Sequence, residues 1–314
     1  MQKKRLQNRI AESRWLLPTV MPIAVAVWAV VGYFDHAAIL PLLCLVFSTY
    51  LMMELNNSNA LIRIYSRMIS CSFLVLTTMA TFQFTSIRAA IVILCTVGYY
   101  IIAFRCYQDT QSQGWTFYAF LCVGLSSVVW VQTLLFVPML WIIMRTNLLA
   151  LSLRSFVSSI FGLVFPNLFL GGYYLFRQEP SKLVGHFAEI AVFQPVPDYG
   201  MLSVNQIMTI SMVLLCALIG MAHVVLQRRR DNIRTRLLCQ IFVAADLAAI
   251  AFAALQPQHY EPLLGIITVS TAPLIGHFIA LTHSRLSDIT FRVLVVLSLV
   301  LTAYNLWTSL PISF

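Results

Sequence analysis

Charged residues are scarce in this sequence. Only 10% of its 314 residues are Asp, Glu, Lys or Arg, whereas 60% are hydrophobic. Soluble domains carry about 25% charged residues, so a water-covered globular surface is excluded. Apolar runs of roughly 17 to 22 residues recur along the chain, which is the length that crosses a hydrocarbon core. The pattern predicts an all-α, polytopic transmembrane helix bundle that forms a single integral membrane domain over residues 1–314.

Acidic residues are scarcer than basic ones, 11 against 20, which gives a net charge of +9. In a soluble protein such an excess would suggest nucleic acid as a partner. In a membrane protein the positive-inside rule explains it, because Lys and Arg collect in cytoplasmic loops. We therefore expect membrane lipids as partners and no nucleic acid.

Sequence motifs that bind metals or cofactors are also missing. The seven cysteines are scattered without a CxxC pair, so neither a disulfide framework nor a zinc site is indicated. The sequence contains no phosphate-binding loop, no GxSxG and no dinucleotide fingerprint. We expect neither metal nor cofactor, and the sequence leaves open whether the chain is an enzyme. The first apolar run lacks a cleavage signal, which indicates a retained helix.

The distribution of positive charge predicts the topology. The run 115–144 holds about 30 residues without a formal charge, too many for one ordinary span. If it turns near Trp130, the chain has eleven spans with a cytoplasmic N-terminus, and seventeen of the twenty basic residues face the cytoplasm. If it were one span, the Arg228–Arg236 cluster would face outward, against the positive-inside rule. The run 155–176 contains Pro166, so a re-entrant segment is the alternative there.

The segment 54–67 is a polar island between two apolar runs. If the helix continues past Glu54, then Glu54 and Asn57 share one face, while Arg63 and Arg67 share another at i,i+4 spacing. Two guanidinium groups so placed suit a phosphate or an anionic headgroup. The plainer alternative is a cytoplasmic interfacial helix whose arginines reach the lipid phosphates.

Asp246 is the one acidic residue near the middle of a predicted span. It lies about nine residues from the cytoplasmic end, or roughly 14 Å at 1.5 Å per residue. His277 and His223 lie in the same inner half of neighbouring spans, so we expect His277 as the partner of Asp246, with His223 second. A proton relay or a buried binding site would need this arrangement, and an interhelical hydrogen bond explains it equally well.

The extracytoplasmic connection 177–205 is the largest loop outside the membrane. Lys182–Phe193 is expected to form an amphipathic interfacial helix, with Ser181 as its N-cap. Four polar residues form a candidate outer cluster: Arg177, His186, Glu189 and Asp198. The spacing His186-x-x-Glu189 differs from the HExxH motif of zinc proteases.

The stretch Leu55-Asn56-Asn57-Ser58-Asn59-Ala60-Leu61-Ile62-Arg63 resembles an uncharacterised family of polytopic inner-membrane proteins in Bacteroidota. These proteins carry an Asn-rich cytoplasmic turn before the third span. The span after Met68 departs from that family, because it begins Ile69-Ser70-Cys71-Ser72. The resemblance implies a bacterial envelope protein located in the inner (cytoplasmic) membrane, and no reaction.

Three functions fit these features. The first is a membrane component that handles or transports an amphipathic, anionic, lipid-linked substrate. The second is a membrane-embedded glycosyltransferase, polymerase or ligase that uses a polyprenyl-linked donor and the outer cluster. The third is a structural subunit of an envelope secretion or assembly complex. A lipid-linked glycan and other envelope proteins are the corresponding partners.

The predicted topology of eleven spans can be tested with reporter fusions or cysteine accessibility. We expect a fusion within Arg228–Arg236 to report the cytoplasm and a fusion at the C-terminus to report the outside. An extracytoplasmic signal from the Arg228–Arg236 loop would contradict the topology.

Overall fold

A computed structural model describes residues 5–34, 38–193, 197–227 and 231–309. Asp35, His36 and Arg228–Arg230 lie outside the described residues, as do the chain ends. The described part contains thirteen α-helices: α1 Leu6–Ala11, α2 Leu16–Phe34, α3 Ile39–Asn59, α4 Met68–Met79, α5 Ile87–Ala103, α6 Gln113–Val129, α7 Val137–Thr146, α8 Leu153–Phe176, α9 Pro180–Ala188, α10 Val204–Gln227, α11 Ile233–Leu255, α12 Tyr260–Leu281 and α13 Arg285–Ser309.

Eight helices are long and apolar enough to cross a membrane, namely α2, α3, α5, α8, α10, α11, α12 and α13. Three shorter apolar helical segments accompany them: Met68–Met79, Gln113–Val129 and Val131–Thr146. The all-α membrane class predicted from the sequence is thus confirmed. The count of eleven spans and the orientation of the chain stay predictions.

The long run 115–144 is broken at Trp130. Trp130 has extended backbone angles, φ −144 and ψ 96, and a 3₁₀ helix over Val131–Phe136 leads into α7. The expected break near Trp130 is therefore confirmed, while the division of the run into two spans stays a prediction. The run 155–176 instead lies within one continuous helix, α8, despite Pro166. At 24 residues this helix is long enough to cross the membrane, so the re-entrant alternative loses its basis.

The described chain divides into two compact units. Unit 1 comprises 1–90 and 198–314, and unit 2 comprises 91–197. The single membrane domain expected from the sequence stays a prediction.

Unit 1 is built around α12. Of the candidate spans, this helix is the most deeply buried, since 94% of its most apolar 18-residue stretch lies inside the protein. It packs against α4, α10 and α11. Gly220 of α10 allows this approach, since a Cβ atom there would lie only 2.7 Å from Cβ of Leu274. Gly276 lets α12 meet α4 in the same way, because its Cβ would lie 3.1 Å from Cα of Ile69. Small residues at such contacts are typical of membrane helix packing.

The short helix α1 fastens the C-terminal end of α12. Gln7 Nε2 donates to the carbonyl of Ile279 at 2.6 Å and to Oγ1 of Thr282 at 2.9 Å. The Gln7 backbone N–H donates to Asp288 Oδ1 at 3.0 Å. The bond to Ile279 satisfies one of the carbonyls that the end of a helix leaves without intrahelical partners. The first helix thus ties the ends of α12 and α13 together.

Unit 2 contains most of α5 together with α6, α7, α8 and α9; within it α6 packs against α8, and α9 contacts α8. Trp141 of α7 donates its indole N–H to Ser159 Oγ of α8 at 3.0 Å. The predicted outer helix is present as α9 followed by a 3₁₀ turn over Glu189–Ala191. It begins at Pro180, and its N-cap is Glu179 without a side-chain bond, so the assignment of Ser181 as N-cap is wrong. Proline fits the first helical position because its missing N–H would have no partner there.

Gly220→Ala tests the close packing of α10 on α12. We expect it to lower the free energy of unfolding by about 1–3 kcal/mol, the usual cost of overpacking, because its new methyl group would overlap Leu274. The control is Gly172→Ala on α8, where a Cβ would meet nothing within 4 Å. The control should be neutral or slightly stabilising. Thermal unfolding in detergent measures the stability of both variants. Equal unfolding midpoints for Gly220→Ala and Gly172→Ala would contradict the close packing of α10 on α12.

Candidate functional site

The polar segment 54–67 is half helix and half turn. The helix α3 ends at Asn59, and Ala60 adopts a left-handed conformation with φ 48. Asn56 then holds the turn, because its Oδ1 accepts from the Ile62 N–H at 3.3 Å and its Nδ2 donates to the Ser66 carbonyl at 3.0 Å. We call residues 60–67 the polar turn. The asparagines of α3 that precede the polar turn end the helix and close the loop, which is a structural role.

The expectation that Arg63 and Arg67 share a helical face is wrong, because the helix ends before both. Glu54 and Asn57 do lie on the last two turns of α3. Arg67 Nη1 donates to Asn57 Oδ1 at 3.1 Å, and Arg67 Nε donates to the Tyr65 hydroxyl at 3.3 Å. Arg63 instead acts electrostatically on groups near α12, described below.

Two arginines converge on Tyr65. The guanidinium carbon of Arg67 lies 5.4 Å from the centre of the Tyr65 ring, and that of Arg14 lies 5.9 Å from it. Tyr65 is 55% exposed. An aromatic ring offers cations a favourable face at such distances. The ring therefore holds two positive groups together at the surface, where an anionic group can reach them. We call Arg14, Tyr65 and Arg67 the arginine clamp.

Unit 1 also contains an apolar groove of ≈ 280 Å³. Residues of α1, α2, α4, α10, α12 and α13 line it. Leu16 and Met68 are among them, two residues after Arg14 and one after Arg67. Nearly all of its lining is apolar. On α2 the lining extends to Val27, eleven residues from Leu16 and roughly 16 Å away. That length is about half of the ~30 Å hydrocarbon core.

A pair of buried histidines lies where α10 and α12 meet. The rings of His223 and His277 have centroids 5.3 Å apart, and the two residues are 5% and 1% exposed. Gly220 lies one turn before His223, and its contact residue Leu274 lies one turn before His277. The glycine contact therefore places the two rings side by side. Within the described part of the chain, His223 Nε2 and His277 Nδ1 have no hydrogen-bond partner.

Asp231 and Arg63 supply charge beside the histidine pair. Asp231 Oδ2 lies 3.5 Å from His277 Nε2, and the Asp231 side chain is 11% exposed. Burial raises the pKa of the Asp231 carboxyl above its ordinary value, while the positive charge of Arg63 opposes that shift. Arg63 also acts on His277. The positive charge that the polar turn carries at Arg63 therefore influences Asp231 and the buried His277.

Asp246 is bonded to Thr271, not to His277. It is fully buried on α11 and accepts from Thr271 Oγ1 of α12 at 3.1 Å. Its position inside the bundle, next to a polar group of a neighbouring helix, agrees with the prediction. The preferred partner was wrong because His277 lies six residues beyond Thr271, roughly 9 Å farther along α12. The three residues expected as one intramembrane cluster thus form two separate sites.

The four outer residues are engaged in separate local contacts. In unit 2, the guanidinium of Arg177 lies over Tyr173 at 5.5 Å, His186 Nε2 is 3.0 Å from the Ser127 carbonyl, and Glu189 accepts at its backbone carbonyl from Gln132. Asp198 belongs to unit 1, where its carboxylate accepts from the Gly200 N–H at 2.9 Å. These contacts assemble no catalytic arrangement of carboxylates.

The described residues hold no group of three or more His, Cys, Asp or Glu placed to bind a metal ion. The fold defines an all-α integral membrane protein, and the polar sites described above other than Arg177, His186 and Glu189 belong to unit 1. Comparison with protein-family models, curated proteins and solved structures finds no match.

Sequence reasoning missed Asp231, Tyr65 and Arg14 as parts of the site. Asp231 directly follows Arg228–Arg230, so its charge is masked by the basic run in any local count. Arg14 was grouped with the other N-terminal cations. Tyr65 stands between Arg63 and Arg67, and an aromatic residue between two arginines was the available signal.

Thr271→Val tests the bond to Asp246. It keeps the side-chain shape and removes the hydroxyl, so we expect a loss of about 0.6–2 kcal/mol in unfolding free energy, as for other intramembrane hydrogen bonds. In an Asp246→Asn background the loss should persist, because an amide oxygen can still accept. In an Asp246→Leu background it should disappear. Equal losses in all three backgrounds, measured by unfolding in detergent, would contradict the bond.

Proposed function

We propose that this protein is a component of the bacterial inner membrane that binds an amphipathic, anionic, lipid-linked substrate and moves or presents it. The proposal rests on one observation: the lining of the apolar groove includes Leu16 and Met68, which lie within two residues of Arg14 and Arg67 of the arginine clamp. An amphipathic lipid has the same two parts, a chain that needs an apolar channel and a phosphate that needs cations. The groove matches the depth of one bilayer leaflet.

The walls of the groove favour a ligand that enters from the bilayer. Both α2 and α13 are largely exposed, since only 17% and 28% of their most apolar 18-residue stretches are buried. In a membrane, those exposed faces contact lipid, so a chain can slide in sideways without crossing water. The clamp residues then meet the phosphate at the membrane surface, where each cation contributes about 1 kcal/mol to binding an anionic lipid.

The substrate class follows from the clamp. Arginine is suited to phosphate, since its planar guanidinium donates two parallel hydrogen bonds. Arg67 is already oriented by Asn57 and Tyr65, so less side-chain entropy is lost when it binds. A lipid phosphate or pyrophosphate, such as the carrier of a lipid-linked glycan, is the matching ligand. Other envelope proteins would supply or receive it.

Substitutions of the clamp test the headgroup. We expect Arg14→Gln or Arg67→Gln to weaken binding of phosphatidylglycerol by about fivefold each, corresponding to about 1 kcal/mol per cation. Spin-labelled phosphatidylglycerol and phosphatidylcholine, with protein in phosphatidylcholine nanodiscs, measure the preference. Arg177→Gln is the matched control, because Arg177 also lies over a tyrosine but in unit 2. Inorganic phosphate should not displace the lipid. A preference unchanged by both clamp substitutions would refute the headgroup site.

Two neighbouring residues of α13 test the groove. Val295 lines it, whereas Val296 does not and is 58% exposed. Val295→Trp should overfill the groove, at a cost of about 1–3 kcal/mol, and weaken binding of the labelled lipid by about fivefold or more. Val296→Trp should leave binding unchanged. The same loss in both variants would show that the groove does not hold the lipid.

A further inference from the structure

The proposed lipid site does not use the buried histidine pair. Among the described residues, however, the pair has ring nitrogens without hydrogen-bond partners. Both rings are more than nine-tenths buried, and in the described part of the chain His223 Nε2 and His277 Nδ1 lack partners. Leaving a buried polar nitrogen without a hydrogen bond is unfavourable. Histidine is also the side chain that gains and loses a proton in the physiological pH range. The arrangement therefore favours a ligand, and the simplest one is a proton.

The geometry limits the pair to a single proton. Two imidazolium rings with centroids 5.3 Å apart would repel strongly in a poorly polar interior. A proton on His277 has a ready counterion, since Asp231 Oδ2 lies 3.5 Å from Nε2. The pair and its carboxylate thus behave as one coupled unit with two charge states.

The charged groups around this unit come from several elements. Asp231 precedes α11, Arg63 lies on the polar turn, and His223 is on α10. The negative charge of Asp231 also acts on Cys239 of α11. Arg234, also of α11, is bonded to Asn59 Oδ1 at 3.1 Å. Arg228–Arg230 lie outside the described residues.

Asp231 lies close to the polar turn, because Arg234 at the start of α11 donates to Asn59 Oδ1 at 3.1 Å. Among the described residues, Arg63 of that turn acts electrostatically on the carboxylate. When His277 is protonated, the same carboxylate, 3.5 Å from its Nε2, becomes its counterion. Arg63 belongs to the polar turn that also carries Tyr65 and Arg67 of the arginine clamp. A change in the charge balance at Asp231 therefore reaches the surface that faces the lipid phosphate.

We propose that the His223–His277 pair binds one proton with the Asp231 carboxylate as its counterion, and that the added positive charge beside the polar turn strengthens the attraction of the anionic headgroup to the arginine clamp. Lipid binding and proton uptake then strengthen each other, as linkage requires. This inference rests on the proposed function and adds a proton as its coupled ligand. A carrier with this coupling would bind its substrate more tightly at lower pH and release it at higher pH.

The first test is the pH dependence of lipid binding by the full-length protein. In phosphatidylcholine nanodiscs, we expect spin-labelled phosphatidylglycerol to bind about fivefold more tightly at pH 5.5 than at pH 8, within the usual range of coupling. Asp231→Asn and His277→Gln should remove the pH dependence. The control Asp198→Asn, at an exposed aspartate of unit 1, should keep it. Labelled phosphatidylcholine corrects for any general effect of pH.

The second test follows the proton directly. Nitrogen NMR of histidine-labelled protein should show His223 and His277 titrating together with the uptake of one proton, and Asp231→Asn should move that titration to lower pH. Because Asp231 lies on a connection and is only partly buried, this variant should fold even if His277→Gln does not. Phosphatidylglycerol bound with equal affinity at both pH values would overturn the inference and leave the proposed function standing. Absence of any phosphatidylglycerol preference would overturn the proposed function and, with it, the coupling.

Discussion

The burial of α12 on all sides is the constraint on which unit 1 depends. A helix surrounded by α4, α10 and α11 cannot leave its polar side chains to water or to lipid headgroups. Thr271 must therefore be bonded within the bundle, and Asp246 provides the acceptor. His277 faces the same requirement, but among the described residues neither of its ring nitrogens has a hydrogen-bond partner, although Asp231 Oδ2 lies 3.5 Å from Nε2. The buried Asp246–Thr271 bond and the histidine pair therefore both lie where α12 meets its neighbours.

Close packing and polar placement have the same origin. Gly220 and Gly276 bring α10 and α4 within backbone distance of α12. Each glycine lies within one turn of a histidine, so the approach that buries the helix also sets the distance between the two rings. Small residues at helix contacts gain packing where the hydrophobic effect contributes little. In this protein the Gly220 contact also brings two buried histidine rings to a centroid distance of 5.3 Å.

The polar turn lies between the buried histidine site and the arginine clamp. The asparagines before it resemble a binding motif, yet the Asn56 side chain is bonded to the backbone of the turn. Arg67 is bonded to the Tyr65 hydroxyl, whereas the charge of Arg63 acts on Asp231. One short loop thus carries charge that acts on a buried site and charge that belongs to the clamp. This arrangement is the physical basis for considering the two sites together.

The sequence by itself determined the membrane class, the break at Trp130 and the burial of Asp246, because hydropathy and charge act locally and their costs are large. It could not identify the partner of Asp246, since equal depth in neighbouring spans leaves rotation about the helix axis undefined. It could not join Asp231 to His277, or Arg14 to Tyr65, because these pairs are far apart along the chain. Only the tertiary structure decided them, through the glycine contacts that fix which faces of the helices meet.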